Sequence, residues 1–188
     1  MPWNHPLSAT PVVAVAGATG AVGIEMLKVL EQRGFPASRV VALASARSAG
    51  KRLPFADGEL VVEEMTPDSF AGVGIALFSA GAGVSRRFRD AVTDAGCVMI
   101  DNSSAFRMDE DVPLVVPEVN PEDAYLHNGV IANPNCSTIQ MVVALKPLAD
   151  LAPIERIVVA TYQAASGAGQ AAMDELYAQS GQFLAEDD

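Results

Sequence analysis

Residues 12–23 of the 188-residue chain read Val-Val-Ala-Val-Ala-Gly-Ala-Thr-Gly-Ala-Val-Gly, an unbroken apolar run followed by three glycines at three-residue spacing. A continuous apolar run is typical of a strand that is buried on both faces of a parallel sheet. Apolar residues at helical spacing follow it, and Gly34 and Pro36 are helix stop signals. The stretch therefore predicts a strand, a glycine-rich loop and a helix, which together begin an α/β fold.

The same alternation of apolar runs and helical patterns continues along the chain. Strands are predicted at residues 40–44, 75–78, 98–100, 129–132 and 154–162, with one or two short strands within 52–65. Helices are predicted over residues 84–95, 137–145 and about 170–183, and Pro147 is expected to end the second of these. We therefore expect an α/β, Rossmann-like, mostly parallel sheet with helices on both faces.

The predicted elements also divide the chain into a complete and an incomplete part. Residues 1–133 contain the strands and helices of one nucleotide-binding sheet. Residues 134–188 contain one helix, one strand and a second helix, which are too few for an independent core. We expect this second part to be the start of an incomplete α+β domain.

Charge and composition exclude several classes of protein. The net charge is −11, from 12 basic and 23 acidic side chains, and the acidic excess lies after residue 100. Nucleic-acid binding needs a basic face, which this distribution does not provide, and a solvated acidic surface is the simplest account of it. The longest apolar runs fall far short of the ~20 residues of a membrane helix. With no signal-peptide pattern at the N-terminus, we expect a soluble, cytoplasmic protein.

The cysteine and histidine content gives no sign of a metal site or of a disulfide scaffold. Two cysteines, Cys97 and Cys136, fit a reducing compartment. The two histidines, His5 and His127, lie far from either cysteine along the chain, so no metal-ligand spacing is present.

The glycine-rich loop is a candidate nucleotide-binding site. Glycines at positions 17, 20 and 23, between a buried strand and a helix, let the backbone approach a pyrophosphate at a helix N-terminus. The spacing departs from the regular G-x-G-x-x-G pattern, and a tight strand-to-helix turn without a ligand is the alternative. Its place after the first strand favours nucleotide binding.

The end of the second predicted strand indicates which nucleotide is bound. An NAD site usually places Asp or Glu there, to bind the ribose 2′-hydroxyl. This chain instead has Ser45, Arg47 and Ser48. An arginine flanked by two hydroxyl groups suits the 2′-phosphate of NADP, and the alternative is a polar surface loop with an incidental arginine.

Cys136 is the candidate nucleophile. It follows Asn133-Pro134-Asn135 and precedes an apolar helical pattern, which places its sulfur near a helix N-terminus. The aligned N–H dipoles of a helix N-terminus favour a thiolate, the nucleophilic form of cysteine. Cys97 lies in an apolar strand pattern, where packing in the core is the simpler interpretation.

Polar residues after two other strands are further candidates for the site. Arg107 is one of three cations after residue 100 and follows the segment Asp101–Ser104, so an anion site is predicted there. Ordinary capping by Asp101–Ser104 is the alternative. Gln163 ends the predicted strand at 154–162, where it would either orient an acyl group or satisfy the backbone.

Six motifs together resemble the aspartate-semialdehyde dehydrogenase family over residues 12–176. They are Val-Ala-Gly-Ala-Thr-Gly-Ala-Val-Gly (15–23), Ser-Ala-Arg-Ser-Ala-Gly (45–50), Asp-Asn-Ser-Ser-Ala-Phe-Arg-Met (101–108), Val-Val-Pro-Glu-Val-Asn (115–120), Asn-Pro-Asn-Cys-Ser-Thr (133–138) and Thr-Tyr-Gln-Ala-Ala-Ser-Gly-Ala-Gly (161–169). The cysteine motif is the most specific of them.

The resemblance implies an NADP-dependent enzyme of lysine, threonine and methionine biosynthesis. Its reaction converts L-aspartyl-4-phosphate to L-aspartate 4-semialdehyde and phosphate, through a thioester on the cysteine. By the resemblance, Cys136 and Gln163 are catalytic, and Arg107, Asn135 and Gln163 bind substrate or phosphate. The residues that the resemblance assigns to NADP are Gly17, Thr19, Gly20, Ala21, Val22, Ser45, Arg47, Ser48, Ser166 and Gly167. It also implies a homodimer whose catalytic and dimerisation domain begins after residue 133, with no metal and no nucleic-acid partner.

One departure from the family pattern concerns the rest of the catalytic machinery. The family needs an acid/base histidine and a carboxylate-binding arginine downstream of the cysteine. After Cys136 this chain has no histidine, and its one arginine is Arg156. We therefore expect these 188 residues to be an N-terminal fragment that is inactive alone.

Three alternative functions remain open from the sequence. N-Acetyl-γ-glutamyl-phosphate reductase and a malonyl-CoA reductase-like enzyme use related chemistry on other acyl substrates. A non-catalytic NADP-binding paralogue is the third alternative, although such a protein would be expected to lose Cys136.

Overall fold

The computed structural model describes residue 3 and residues 5–186, and it contains a parallel sheet of six strands. The strands of the chain are β1 (Val12–Ala16), β2 (Arg39–Ala44), β3 (Arg52–Phe55), β4 (Gly58–Val61), β5 (Glu63–Glu64), β6 (Ile75–Phe78), β7 (Val98–Asp101) and β8 (Val130–Ala132). The helices are α1 (Ala21–Gln32), α2 (Ala82–Asp94), α3 (Cys136–Leu151) and α4 (Gln170–Glu186). The main sheet has the order β5-β2-β1-β6-β7-β8, and every neighbouring pair in it is parallel. This confirms the predicted fold class.

Side-chain alternation along β1 shows how the helices cover both faces of the sheet. Ala14 and Ala16 belong to one buried cluster, together with Phe88 and Val92 of α2. Val15 points to the opposite face and belongs to a second cluster, which includes Leu27 of α1. The antiparallel hairpin of β3 and β4 contributes further apolar side chains to this second cluster. The strands are therefore buried on both faces, as their continuous apolar runs predict.

Pro147 does not end the cysteine-bearing helix, contrary to the sequence prediction. It lies inside α3, which continues to Leu151. Proline removes one backbone N–H from a helix and leaves the carbonyl four residues earlier without its donor. No residue of α3 is buried. Water can therefore satisfy that carbonyl, which reduces the cost of a proline at this position.

The predicted strand at residues 154–162 is also wrong. The segment is irregular and exposed, and no described residue pairs with it. β-Branched residues favour a strand only where a neighbouring strand supplies hydrogen bonds and packing. The segment therefore has the composition of a strand without the pairing that a strand needs.

The chain divides into two compact units between Ile154 and Glu155. The first contains the six-stranded sheet and α1–α3. The second contains a short 3₁₀ helix at Ala165–Ala168 and α4. No helix in the described part of the chain is long and apolar enough to cross a membrane.

Gly23 provides a test of how tightly the first loop is packed. A Cβ at this position would overlap the carbonyl oxygen of Gly17 and lie 2.7 Å from the Cα of Ala18. We expect Gly23→Ala to lower the free energy of unfolding by about 2 kcal/mol, because backbone atoms cannot move aside without strain. Urea denaturation of the parent protein and of the variant, both with the same chain length, measures this change in the free energy of unfolding.

Gly83→Ala is the matched control for Gly23→Ala. Gly83 also lies in the first turns of a helix, but a Cβ there would meet nothing within 4 Å. Its replacement should leave the stability unchanged or raise it by up to about 1 kcal/mol. Equal effects of the two substitutions would show that the contact between Gly23 and the loop is not tight.

Candidate active site

A ladder of backbone hydrogen bonds continues across the sheet one residue beyond the ends of four strands. The amide of Gly17 donates to the carbonyl of Leu43, and that of Ser79 to Ala16, each at 2.9 Å. Asn102 donates to Phe78 at 2.9 Å, and Asn133 donates to Asp101 at 2.8 Å. Because all these strands are parallel, the loops that follow them meet at one edge of the sheet. This is the edge at which α/β folds bind their ligands.

The loop after β1 packs closely against the loop after β6 at this edge. Gly17 has φ +86°, and a Cβ there would lie 2.5 Å from the carbonyl oxygen of Ser79. The position therefore requires glycine both for its backbone conformation and for the space available. Gly20 is the N-cap of α1, so the loop leads directly into a helix N-terminus. Such an arrangement can hold a phosphate group.

A cavity of about 390 Å³ opens beside this loop. Its lining comes from the loops that follow β1, β2 and β6, and from β5 and α2. The lining residues are Gly17, Thr19, Gly20, Ala44, Ser45, Ala46, Glu64, Met65, Ser79, Ala80, Val84 and Arg87. Its size and its position at the helix N-terminus suit a nucleotide.

The structure brings together part of the set of residues predicted for the cofactor. Gly17, Thr19, Gly20 and Ser45 line the cavity. Ala21 and Val22 are the first two residues of α1. Arg47 and Ser48 lie beside the cavity lining, on a 3₁₀ turn over Ala46–Ser48, and the hydroxyl of Thr19 donates to that of Ser48 at 3.4 Å. The loops after β1 and β2 are thereby connected.

Eight of the twelve residues that line the cavity are outside the set predicted from the sequence. They are Ala44, Ala46, Glu64, Met65, Ser79, Ala80, Val84 and Arg87. Ser79 and Ala80 follow a buried strand, which is a usable signal once β6 is known to lie next to β1. Glu64 and Met65 depend on a strand of two residues that pairs with β2, and this pairing has no distinct sequence pattern.

A second group of polar residues lies at the ends of β7 and β8. The half-buried side chain of Arg107 donates from Nε to the carbonyl of Asn133 at 2.9 Å, and from one Nη to the carbonyl of Asn102 at 3.1 Å. The side-chain amide of Asn133 donates to that of Asn102 at 2.6 Å. A guanidinium group has five N–H donors, and these two bonds use two of them. Arg107 therefore keeps donors with which to bind an anion.

Cys136 lies at the start of the helix that follows this group. It is the first residue of α3 and is exposed. The side-chain oxygen of Asn135 caps the helix by accepting from the amide of Ser137 at 3.0 Å. Three residues, Asn133 to Asn135, connect β8 to the cysteine, so the bonds to Asn133 lie close to it along the chain.

Cys97 differs from Cys136 in its burial. It is fully buried, and burial raises the pKa of its thiol to about 12. A thiol with that pKa stays protonated at neutral pH and is a poor nucleophile. The contrast agrees with the interpretation of Cys97 as a core residue.

Three candidate residues belong to the second compact unit, which is described by itself. Gln163 lies in the irregular segment before the 3₁₀ helix, and Ser166 and Gly167 lie within that helix. Among the described residues, no group of three or more His, Cys, Asp or Glu side chains could hold a metal ion.

Two protein-family models match the chain. The model described as semialdehyde dehydrogenase, NAD binding domain, matches residues 12–127. The model described as semialdehyde dehydrogenase, dimerisation domain, matches residues 145–188. The first match alone covers more than half of the chain.

Individual relatives agree with these matches. Aspartate-semialdehyde dehydrogenase of Bacillus subtilis is 55% identical over 172 residues, which are 92% of this chain and 50% of that protein. The Aquifex aeolicus enzyme is 58% identical over 167 residues, 87% of this chain and 49% of that protein. The chain thus spans about half the length of these curated relatives.

Solved structures show the same similarity. Aspartate semialdehyde dehydrogenase II of Vibrio cholerae, complexed with ASA, has a TM-score of 0.90 and 51% identity, and the match covers 95% of this chain and 54% of that one. The Candida albicans enzyme with NADP has a TM-score of 0.65 and 30% identity, and the match covers 75% of this chain and 47% of that one. The family models, the relatives and the solved structures confirm the resemblance found in the sequence, and the chain belongs to the semialdehyde dehydrogenase family.

Proposed function

We propose that the full-length protein containing this chain is an NADP-dependent aspartate-semialdehyde dehydrogenase. It would reduce L-aspartyl-4-phosphate to L-aspartate 4-semialdehyde and release phosphate. The observation that carries the proposal is the exposed Cys136 at the start of α3, directly after the segment that Arg107 binds. The named relatives at 55% and 58% identity support the choice of substrate.

In the proposed reaction Cys136 acts as the nucleophile. Its sulfur attacks the acyl carbon of the substrate, a C–S bond forms, and the bond from carbon to the phosphate oxygen breaks. The product of this step is a thioester on Cys136, and the electron pair leaves with the phosphate. Position at a helix N-terminus suits this role because the helix dipole stabilises negative charge there.

Arg107 and Asn135 are the proposed binding residues for the substrate phosphate. Arg107 is held by two backbone carbonyls and keeps N–H donors for an anion. Asn135 lies one residue before Cys136, and its oxygen is used in capping α3. Its amide nitrogen is the part of the side chain that would donate to a phosphate oxygen.

The match to an NAD-binding domain supports a nicotinamide dinucleotide in the cavity beside the glycine-rich loop, and we propose NADP. The cavity opens beside Gly20, the N-cap of α1, where a pyrophosphate would meet the helix N-terminus. Ser45, Arg47 and Ser48 would bind the 2′-phosphate. β2 itself ends without a carboxylate, and the carboxylate in the cavity lining, Glu64, belongs to the neighbouring strand β5. When bound, NADPH supplies the hydride that reduces the thioester.

The remaining assignments concern the second unit and the assembly. We assign Gln163 to the acyl intermediate and Ser166 and Gly167 to the nicotinamide side of the cofactor. The catalytic domain would begin after residue 133, so that α3 and its cysteine belong to it. The full-length protein would be a cytoplasmic homodimer. The match of residues 145–188 to a dimerisation domain supports the homodimer.

Replacement of the cysteine tests the nucleophile. In the full-length protein, Cys136→Ala should lower the rate of phosphate-dependent NADP⁺ reduction by L-aspartate semialdehyde on the order of 10⁴-fold or more. The affinity for NADPH, measured by fluorescence titration, should not change, because the cofactor cavity does not include this residue.

Cys97→Ala is the control for loss of the nucleophile. Cys97 is buried and its thiol is protonated at neutral pH, so this variant should keep most of the activity. Loss of activity in the Cys97 variant, with activity retained in the Cys136 variant, would contradict the assignment.

Replacement of Arg47 tests the preference for NADP. Arg47→Ala should raise the KM for NADP⁺ by about 10- to 100-fold, the loss expected for a charged hydrogen bond to a phosphate. The KM for NAD⁺ should stay within about twofold, because NAD⁺ lacks the 2′-phosphate. Steady-state kinetics with both cofactors measures the difference.

Arg33→Ala is the matched control for charge. Arg33 is also exposed, but it lies at the far end of α1, where it forms the C-cap of that helix. It should change neither KM. A parallel rise in both constants for Arg47→Ala would indicate a general effect on binding and would count against a 2′-phosphate site.

A further inference from the structure

Asp101 is a fully buried acidic residue that the proposed reaction does not use. It is the last residue of β7, and its carboxylate accepts two short hydrogen bonds. The hydroxyl of Ser85, which is buried on α2, donates to Oδ1 at 2.6 Å. The hydroxyl of Ser103 donates to Oδ2, also at 2.6 Å. A buried carboxylate is costly unless it is well bonded, so both bonds matter for the local structure.

The bond from Ser103 determines the path of the loop that follows β7. Besides donating to Asp101, the oxygen of Ser103 accepts from the amide of Ala105 at 3.1 Å. The buried carboxylate thus fixes the loop two and four residues downstream of itself. These residues do not cap a helix, so the capping alternative considered for Asp101–Ser104 does not describe them.

The same loop is fastened to α2 on its other side. The ring of Phe106 is fully buried and has the guanidinium groups of Arg86 and Arg89 each 5.4 Å from its centre. Arg89 also forms ion pairs with Asp109 and with Asp111, at 3.9 and 2.5 Å. The residues on both sides of Arg107 are therefore anchored to the body of the domain.

Arg107 is the residue of this loop whose side chain turns toward the ends of the strands. It binds the carbonyls of Asn102 and Asn133, and those two residues are joined by their side-chain amides. The carbonyl of Asn133 belongs to a residue whose amide is part of the ladder. The carbonyl of Asn102 immediately precedes Ser103, which is bonded to Asp101. Ser103 directly follows Asn102, whose carbonyl Arg107 binds, and its hydroxyl holds the amide of Ala105, two residues before Arg107.

We propose that Asp101 and Ser103 are positioning residues that pre-orient Arg107 for the phosphate of the substrate. The inference rests on the proposed function, because it takes Arg107 as the phosphate-binding residue. A guanidinium held in its binding geometry loses less freedom when the anion arrives than one on a mobile loop. Loss of the carboxylate–hydroxyl bond should therefore weaken phosphate binding more than it slows the chemical step.

The isosteric pair Ser103→Thr and Ser103→Val tests the proposal in the full-length protein. The two side chains have the same shape, and only threonine keeps the hydroxyl that bonds Asp101. With inorganic phosphate as the varied substrate of semialdehyde oxidation, we expect Ser103→Val to raise the KM for phosphate about tenfold relative to Ser103→Thr. The KM for NADP⁺ should agree within about twofold between the two variants.

A second variant and a control keep the test decisive. Asp101→Asn has the size of the native residue but a weaker acceptor, and it should raise the KM for phosphate in the same direction as Ser103→Val. Ser38→Ala removes an exposed hydroxyl just before β2, at the opposite edge of the sheet, and should leave the KM for phosphate as in the parent protein. Arg107→Ala reports on the proposed function itself, because it removes the phosphate-binding group.

The outcomes separate the two claims. If Arg107→Ala raises the KM for phosphate while Ser103→Val and Asp101→Asn do not, the positioning role is wrong and the proposed function stands. If Arg107→Ala leaves that KM unchanged, the phosphate-binding role of Arg107 fails, and the positioning role fails with it. A lower melting temperature in Ser103→Val with an unchanged KM for phosphate would show that the bond only stabilises the fold.

Discussion

The ladder of backbone hydrogen bonds beyond the strand ends is the constraint on which the site depends. The first residue after each of four parallel strands, namely Gly17, Ser79, Asn102 and Asn133, donates to the neighbouring strand. Backbone hydrogen bonds alone thus hold four loops in register with one another. Because the ladder brings the loop after β6 against Gly17, only glycine fits there, and the cavity forms beside this contact.

The other end of the ladder positions the groups that we propose for binding the phosphate and the acyl group. Asn102 and Asn133 join the ends of β7 and β8 through their side chains, and Arg107 binds the backbone of both. Cys136 follows three residues later, at the start of α3. One sheet edge therefore carries a cavity beside a helix N-terminus, a cation for an anionic group and an exposed thiol, which are three of the parts that the proposed reductive dephosphorylation needs.

The sequence is sufficient where structure is determined locally. The apolar run at 12–16, the glycines after it and the helix-starting position of Cys136 are local patterns, and the structure confirms these elements. Features that depend on pairing are not predictable in this way. The run at 154–162 has a strand composition but pairs with no strand among the described residues. Glu64 and Arg87 reach the cavity because of the strand order. The ring of contacts around Phe106 likewise depends on α2 packing against a distant loop.

The central claim is that this sheet edge carries out phosphate-dependent chemistry on aspartate semialdehyde through Cys136. The most direct measurement is the initial rate of NADP⁺ reduction by the full-length protein, with L-aspartate semialdehyde or N-acetyl-glutamate semialdehyde, each with and without phosphate. We predict a fast, phosphate-dependent rate with L-aspartate semialdehyde and little or no rate with the longer substrate. A faster rate with N-acetyl-glutamate semialdehyde would change the assigned substrate but keep the type of reaction. No reduction of NADP⁺ with either semialdehyde, although NADP⁺ binds, would contradict the account.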